Sequence, residues 1–118
     1  MLRREDGFTL IELIVVMLIM AVLLSIAVGF YVGARDKAAD ATARANLRIA
    51  VPAVEAYRSD AGTYAGMTLA TLQASYSPGV QGITVVSADA TDYCLSANAG
   101  ASTWYKTSAS QITTTACS

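Results

Sequence analysis

From Leu13 to Val32 the sequence LIVVMLIMAVLLSIAVGFYV carries no charge and shows no alternation of apolar and polar positions. Twenty residues at the α-helical rise span about 30 Å, the thickness of a bilayer's hydrocarbon core. A helix apolar on every face belongs in a membrane or in a site buried all round. Past Val32 the pattern becomes amphipathic. Ala39, Ala43, Leu47, Ala50, Val54 and Tyr57 recur at three- and four-residue spacing, while Asp36, Lys37, Asp40, Arg44, Arg48, Glu55 and Arg58 lie mainly off that stripe. Asp40 and Arg44 are spaced for an i,i+4 ion pair on a solvated face. One helix is therefore predicted to run for roughly fifty residues, about 75 Å, with Asp60-Ala61-Gly62 as its stop. Pro52 deletes the bond to the Arg48 carbonyl and predicts a kink.

The remaining chain changes period. Thr68 is placed to cap a short helix over Leu69 to Ser75, and Ser77-Pro78-Gly79 reads as a turn. Gln81 to Ala88, Asp92 to Asn98 and Ser102 to Thr107 alternate apolar and polar residues as strands do, with turn residues between them. Short connections imply an antiparallel meander. The predicted class is α+β: a long N-terminal α-helix, its first half membrane-spanning, packed on a small antiparallel sheet of 3–4 strands. The Ser- and Thr-rich tail from Ser102 to Ser118 contains no Asn-x-Ser/Thr sequon and reads beyond its strand as an exposed loop.

Composition narrows the function. With 118 residues, removal of the apolar segment leaves fewer than ninety to build a folded body, a small core that benefits from a covalent staple. A net charge of −1 gives no basic surface for nucleic acid. The absence of His removes the commonest general base and metal ligand. No nucleophile–base pair, metal cluster or phosphate loop is visible, so the chain reads as a non-enzyme without cofactor. Asp89 and Asp92 offer too few oxygens for calcium. Cys94 and Cys117 are too far apart for a CxxC motif and, in a chain that enters a membrane, fit one disulfide. The scattered aromatics read as packing residues rather than an electron path.

Glu12 stands apart. It is the only charge between Phe8 and Val32, directly after the polar head Met1-Leu2-Arg3-Arg4-Glu5-Asp6-Gly7. A carboxylate at the centre of a membrane helix costs on the order of 2.5–3.5 kcal/mol. A secretory signal peptide cleaved near Val32-Gly33-Ala34 has a shorter apolar run. A plain single-pass anchor fits the length and leaves Glu12 unexplained. Snorkelling of Glu12 to the membrane surface is the bland alternative. Charge bias does not settle orientation: Arg3 and Arg4 on one flank face Arg35, Lys37, Arg44 and Arg48 on the other, a count that by itself weakly favours placing the second flank inside.

Gly7-Phe8-Thr9-Leu10-Ile11-Glu12, after a short head containing basic residues and before a long apolar helix, resembles the class III signal of type IV pilins and pseudopilins. The match is dense over residues 7–20. It continues more weakly into Ala56-Tyr57-Arg58-Ser59-Asp60-Ala61-Gly62-Thr63-Tyr64, and the Cys pair is similar to the family's disulfide-bounded loop.

The resemblance implies cleavage between Gly7 and Phe8 by a membrane-embedded prepilin peptidase, N-methylation of Phe8, and polymerisation through the N-terminal helix with the help of the pilus assembly machinery. Glu12 would then pair with the Phe8 amine of a neighbouring subunit. It implies four segments: a leader at 1–7, a membrane and filament-core helix at 8–34, an amphipathic continuation at 35–60, and a sheet region with a disulfide loop at 61–118. The subunit would sit in membrane lipid before assembly and in a cell-surface homopolymer afterwards. A type II secretion pseudopilin and a non-polymerising anchored binding protein remain alternatives. Relatives often carry Gly at the position of Ala21 and Pro at that of Gly29, where the helix unwinds in filaments; this chain has neither. Gly29 and Gly33 form a single GxxxG match, a weak packing signal.

Overall fold

The computed structural model describes Gly7 and residues 9–117. Its first element, α1, is one helix over Leu10–Ala61, 52 residues long. It stays helical through Pro52, so the missing N–H removes one internal bond without ending the element. The helix ends where the sequence predicts. Gly62 adopts φ +74°, a conformation that only glycine takes readily, and its N–H bonds the Arg58 carbonyl at 2.7 Å. Helix α2 covers Leu69–Ser75, with the Thr68 hydroxyl accepting from the Thr71 N–H at 3.1 Å.

Three strands follow, β1 (Thr84–Ala88), β2 (Tyr93–Asn98) and β3 (Thr103–Thr107), as an antiparallel meander in the order β1-β2-β3. β1 starts three residues later than the alternation suggests. Gly82 sits at φ +66°, and a Cβ there would lie 2.5 Å from Asn46 Nδ2 on α1, so the chain turns against the helix before pairing begins. A bulge between Val85 and Ser87 shifts the β1–β2 register.

The chain divides into two compact units after Arg35. In the first, the large apolar residues from Leu10 to Val32 are all exposed. The mean hydropathy there reaches 3.0 over eighteen residues, and none of that window is buried. Ser25 Oγ satisfies itself on the Val22 carbonyl at 2.7 Å, and α1 is unbroken from there through Gly29.

In the second unit the predicted stripe forms the helical side of the core. Ala43, Leu47, Ala50 and Val54 are buried, Ala53 joins them, and Ala39 and Tyr57 pack at the margin. Opposite them lie Leu72, Val80, Ile83, Tyr93, Leu95 and Ala97. The helix contributes mainly small Ala side chains to this core, and Leu47, Leu72 and Leu95 are its largest fully buried aliphatic side chains. Tyr64 and Tyr93 meet edge to face at 4.9 Å, and burial pushes the Tyr93 phenol up to about 12. Tyr64 is also raised, by burial first and then by its bond to Glu55 at 3.0 Å.

Two expectations need correction. The i,i+4 pair between Asp40 and Arg44 is replaced by a shared partner. The Trp104 indole N–H donates to Asp40 Oδ1 at 3.0 Å, and the Arg44 guanidinium lies over the same ring, 5.1 Å from its centroid. The indole gives each of these half-buried side chains a partner of its own, a hydrogen-bond donor for Asp40 and a ring face for Arg44. The tail also is more than an exposed loop. Ile112 packs against the core, and Thr113 exchanges two backbone bonds with Tyr105 at 2.7 and 3.0 Å. Ile112 is the only large aliphatic residue in that tail, and it is what draws the segment back.

Candidate functional site

The first candidate site lies at the start of α1. Thr9 precedes the helix, and its N–H donates to Glu12 Oε2 at 2.9 Å while its hydroxyl accepts from the Glu12 N–H at 3.3 Å. Thr9-Leu10-Ile11-Glu12 is thus a capping box, in which the Glu12 carboxylate satisfies the Thr9 N–H and the Glu12 N–H is shared between the Thr9 hydroxyl and the Thr9 carbonyl, the latter at 3.1 Å. Glu12 lies in the first helical turn, where the aligned peptide dipoles favour negative charge. Part of what offsets a carboxylate in this apolar setting is therefore local. The box uses one carboxylate oxygen and fixes where the head group points. The Thr-x-x-Glu spacing was the available signal for Thr9, hidden because the same four residues also belong to the longer motif. Gly7 is exposed, with open space where a Cβ would be. Phe8, predicted as the cleavage and methylation residue, lies outside the described residues.

The second candidate site is the loop closed by the disulfide between Cys94 on β2 and Cys117, whose Cα atoms are 6.3 Å apart. Around it, polar side chains bind backbone. Asp89 Oδ1 accepts from the N–H groups of Thr91 and Asp92 at 2.9 and 2.8 Å, forming the β1–β2 turn. Asp92 Oδ1 accepts from the N–H of Tyr93 at 2.8 Å and from the Ser108 N–H and hydroxyl at 3.1 and 2.5 Å, tying that turn to the end of β3. Lys106 Nζ donates to the carbonyls of Thr107 and Ser110. These contacts explain why the two aspartates sit close together: their carboxylates organise loops.

Both aspartates are held below the usual carboxylate range. The Thr91 N–H leads at Asp89, and the Ser108 hydroxyl leads at Asp92. A carboxyl depressed in the folded state stabilises fully above its ordinary value of 3.8 and loses that contribution as pH falls through its lower folded value. The domain should therefore melt at a lower temperature at about pH 2.5 than at pH 5. Asp92→Asn should show a smaller drop than the parent, and an equal drop in thermal melts would remove Asp92 from the acid response.

Among known proteins, residues 2–28 match the prokaryotic N-terminal methylation motif. The chain is 34% identical over 107 residues to the type IV wide pilus major component PilA4 of Thermus thermophilus, an alignment covering 88% of this chain and 82% of that protein. The chain belongs to the type IV pilin family. The pilin's two candidate sites differ in kind: one is a charged cap on an unpartnered apolar helix, the other a covalently closed loop on the sheet. Among the described residues no group of three or more potential metal ligands comes together. Homology to a filament component points to a structural subunit rather than an enzyme.

Proposed function

We propose that this pilin is a structural subunit of a type IV pilus. It inserts in the cytoplasmic membrane as a prepilin, is cleaved by a prepilin peptidase between Gly7 and Phe8, is methylated on the new Phe8 amine, and polymerises through its N-terminal helix. The leader is residues 1–7, the filament-core helix 8–34, its amphipathic continuation 35–60, and the surface-facing sheet region 61–118. The cleaved subunit's amine pairs with Glu12 of an offset neighbour. Either charge alone in a low-dielectric bundle is costly, whereas the pair is attractive, so pairing selects the correct axial register.

The observation that carries this reading is the charge-free, fully exposed stretch of α1 that begins within its first turn at a capped Glu12. Such a surface has to be covered, by lipid first and by other copies of the same helix afterwards. The relative's role as a major pilus component and the Cys94–Cys117 loop favour a pilus over the pseudopilus of a secretion system, which uses the same assembly chemistry. Mass spectrometry of filaments sheared from cells tests the proposal. The expected species begins at Phe8, carries one added methyl and is a filament component. An intact Met1, a start at Arg35, or absence from filaments would sink it.

A further inference from the structure

The charges of the unit that begins at Asp36 are sorted by position along α1. Lys37, Arg44 and Arg48 fall within about 40° of one another round the helix and span about 16 Å of its axis. Lys37 and Arg48 are exposed, and Arg44 is half-buried over Trp104. Arg44 and Arg48 are like charges at i,i+4, a spacing that weakens a helix standing alone. The carboxylates on the same helix offer them little. Asp40 is held by the Trp104 indole and Glu55 by the Tyr64 hydroxyl, while Asp36 lies about 80° or more round the helix from all three cations.

Acidic groups gather at the other end. Asp60 is exposed in the last turn of α1, where the helix dipole disfavours negative charge. Arg58, the cation of that turn, lies over the Tyr64 ring, 5.0 Å from its centroid. The Thr63 hydroxyl donates to the Asp89 carbonyl at 3.4 Å, which brings the β1–β2 turn, with exposed Asp89 and Asp92, beside that helix end. Arg48 and Asp60 are about 18 Å apart along the axis, more than twice the Debye length of about 8 Å at physiological salt. One copy therefore does not neutralise its own stripe with its own cap.

We infer that the basic stripe of Lys37, Arg44 and Arg48 docks, head to tail, on the acidic cap of Asp60, Asp89 and Asp92 of a second copy. The inference rests on the polymer proposed above and adds a contact between folded units to the pairing at the N-terminal helices. Two different patches of one chain make a heterologous interface, which repeats along an open helical filament instead of closing as a dimer. The contact offsets both local penalties at once, giving the crowded arginines carboxylates and the helix end cations. Complementary potentials also steer an arriving subunit and penalise misaligned docking, in which like charges meet.

Shearing and immunoblotting of cells that carry charge-reversed subunits test this. Lys37→Glu/Arg48→Glu should cut filament yield about tenfold, and Asp60→Lys should also lower it, since like charges then face each other. Combining the three substitutions restores opposite signs across the contact and should raise the yield at least about threefold above the double variant. A double variant that merely misfolds would not be rescued by a change at the far end of the unit, so recovery also separates docking from stability. Parent-level yield from Lys37→Glu/Arg48→Glu would overturn the contact. A triple variant no better than the double would overturn it too, and would assign the stripe to another partner such as anionic lipid. A parent chain absent from sheared filaments would instead reject the polymer on which the contact rests.

Discussion

Glu12→Gln should leave membrane insertion and the start of α1 intact while cutting filament yield by a factor of a hundred or more. The substitution is chosen for what it preserves. Glutamine still offers an oxygen to the Thr9 N–H, and a capping box tolerates Glu or Gln in that position. Only the charge is lost. If that charge faces a neighbour's Phe8 amine, its removal strands a cation in a low-dielectric bundle, which costs about 3–5 kcal/mol per contact. Each subunit addition would then be disfavoured by roughly a hundred- to several-thousandfold. Fractionation checks insertion, and shearing followed by immunoblotting checks yield. Thr9→Ala supplies the complementary arm. It removes the hydroxyl that accepts from the Glu12 N–H but keeps the carboxylate, and so costs about 1 kcal/mol in the first helical turn with a modest effect on yield. Normal filaments from Glu12→Gln would reduce Glu12 to a helix cap.

Replacing Cys94 and Cys117 together by Ser should lower the stability of the sheet unit by about 3 kcal/mol, as expected for a crosslink between residues 23 apart. For a unit this size that corresponds to a melting temperature roughly 12–24 °C lower. The reason lies in what the crosslink closes. The segment between the cysteines contains β3, Ser108 with its bonds to Asp92 outside the loop, and the Tyr105–Thr113 bridge. Apart from Ile112, the tail has little apolar surface with which to hold itself. In the unfolded chain the open loop regains its conformational freedom, and in the folded one Cys94 becomes a hydroxyl at a buried site. Thermal melts of the detergent-solubilised subunit by circular dichroism measure the shift. A loss under about 5 °C would mean that the tail is held chiefly by its backbone bridge and hydrogen bonds.

Much of this fold was legible because each segment has a strong period. The apolar run, the stripe from Ala39 to Tyr57, Gly62 as terminator, Thr68 as cap and the alternation of Tyr93, Leu95 and Ala97 are local signals, and the structure follows them. What was not legible depends on residues distant in sequence. Asp40 and Arg44 look like partners along one helix because the spacing is visible, whereas Trp104, 64 positions from Asp40, is not. Gly82 reads as an ordinary strand glycine until Asn46 is seen beside it. Asp89 and Asp92 offer too few oxygens for calcium, but nothing in their neighbourhood announces Ser108 as the partner of Asp92. The candidate assembly residues follow the opposite rule. Gly7, Phe8 and Glu12 are recognised from a contiguous motif, the stretch of sequence that the proposed processing and assembly would use.

The chain contains a single tryptophan. Its indole N–H is tied to Asp40 and its ring lies beneath Arg44, so both contacts come from the helix while the residue itself belongs to β3. Light absorbed and emitted by that indole is therefore governed by one seam, where α1 meets the sheet. The pilin carries its own optical gauge of whether the two remain joined, with no competing signal from another tryptophan.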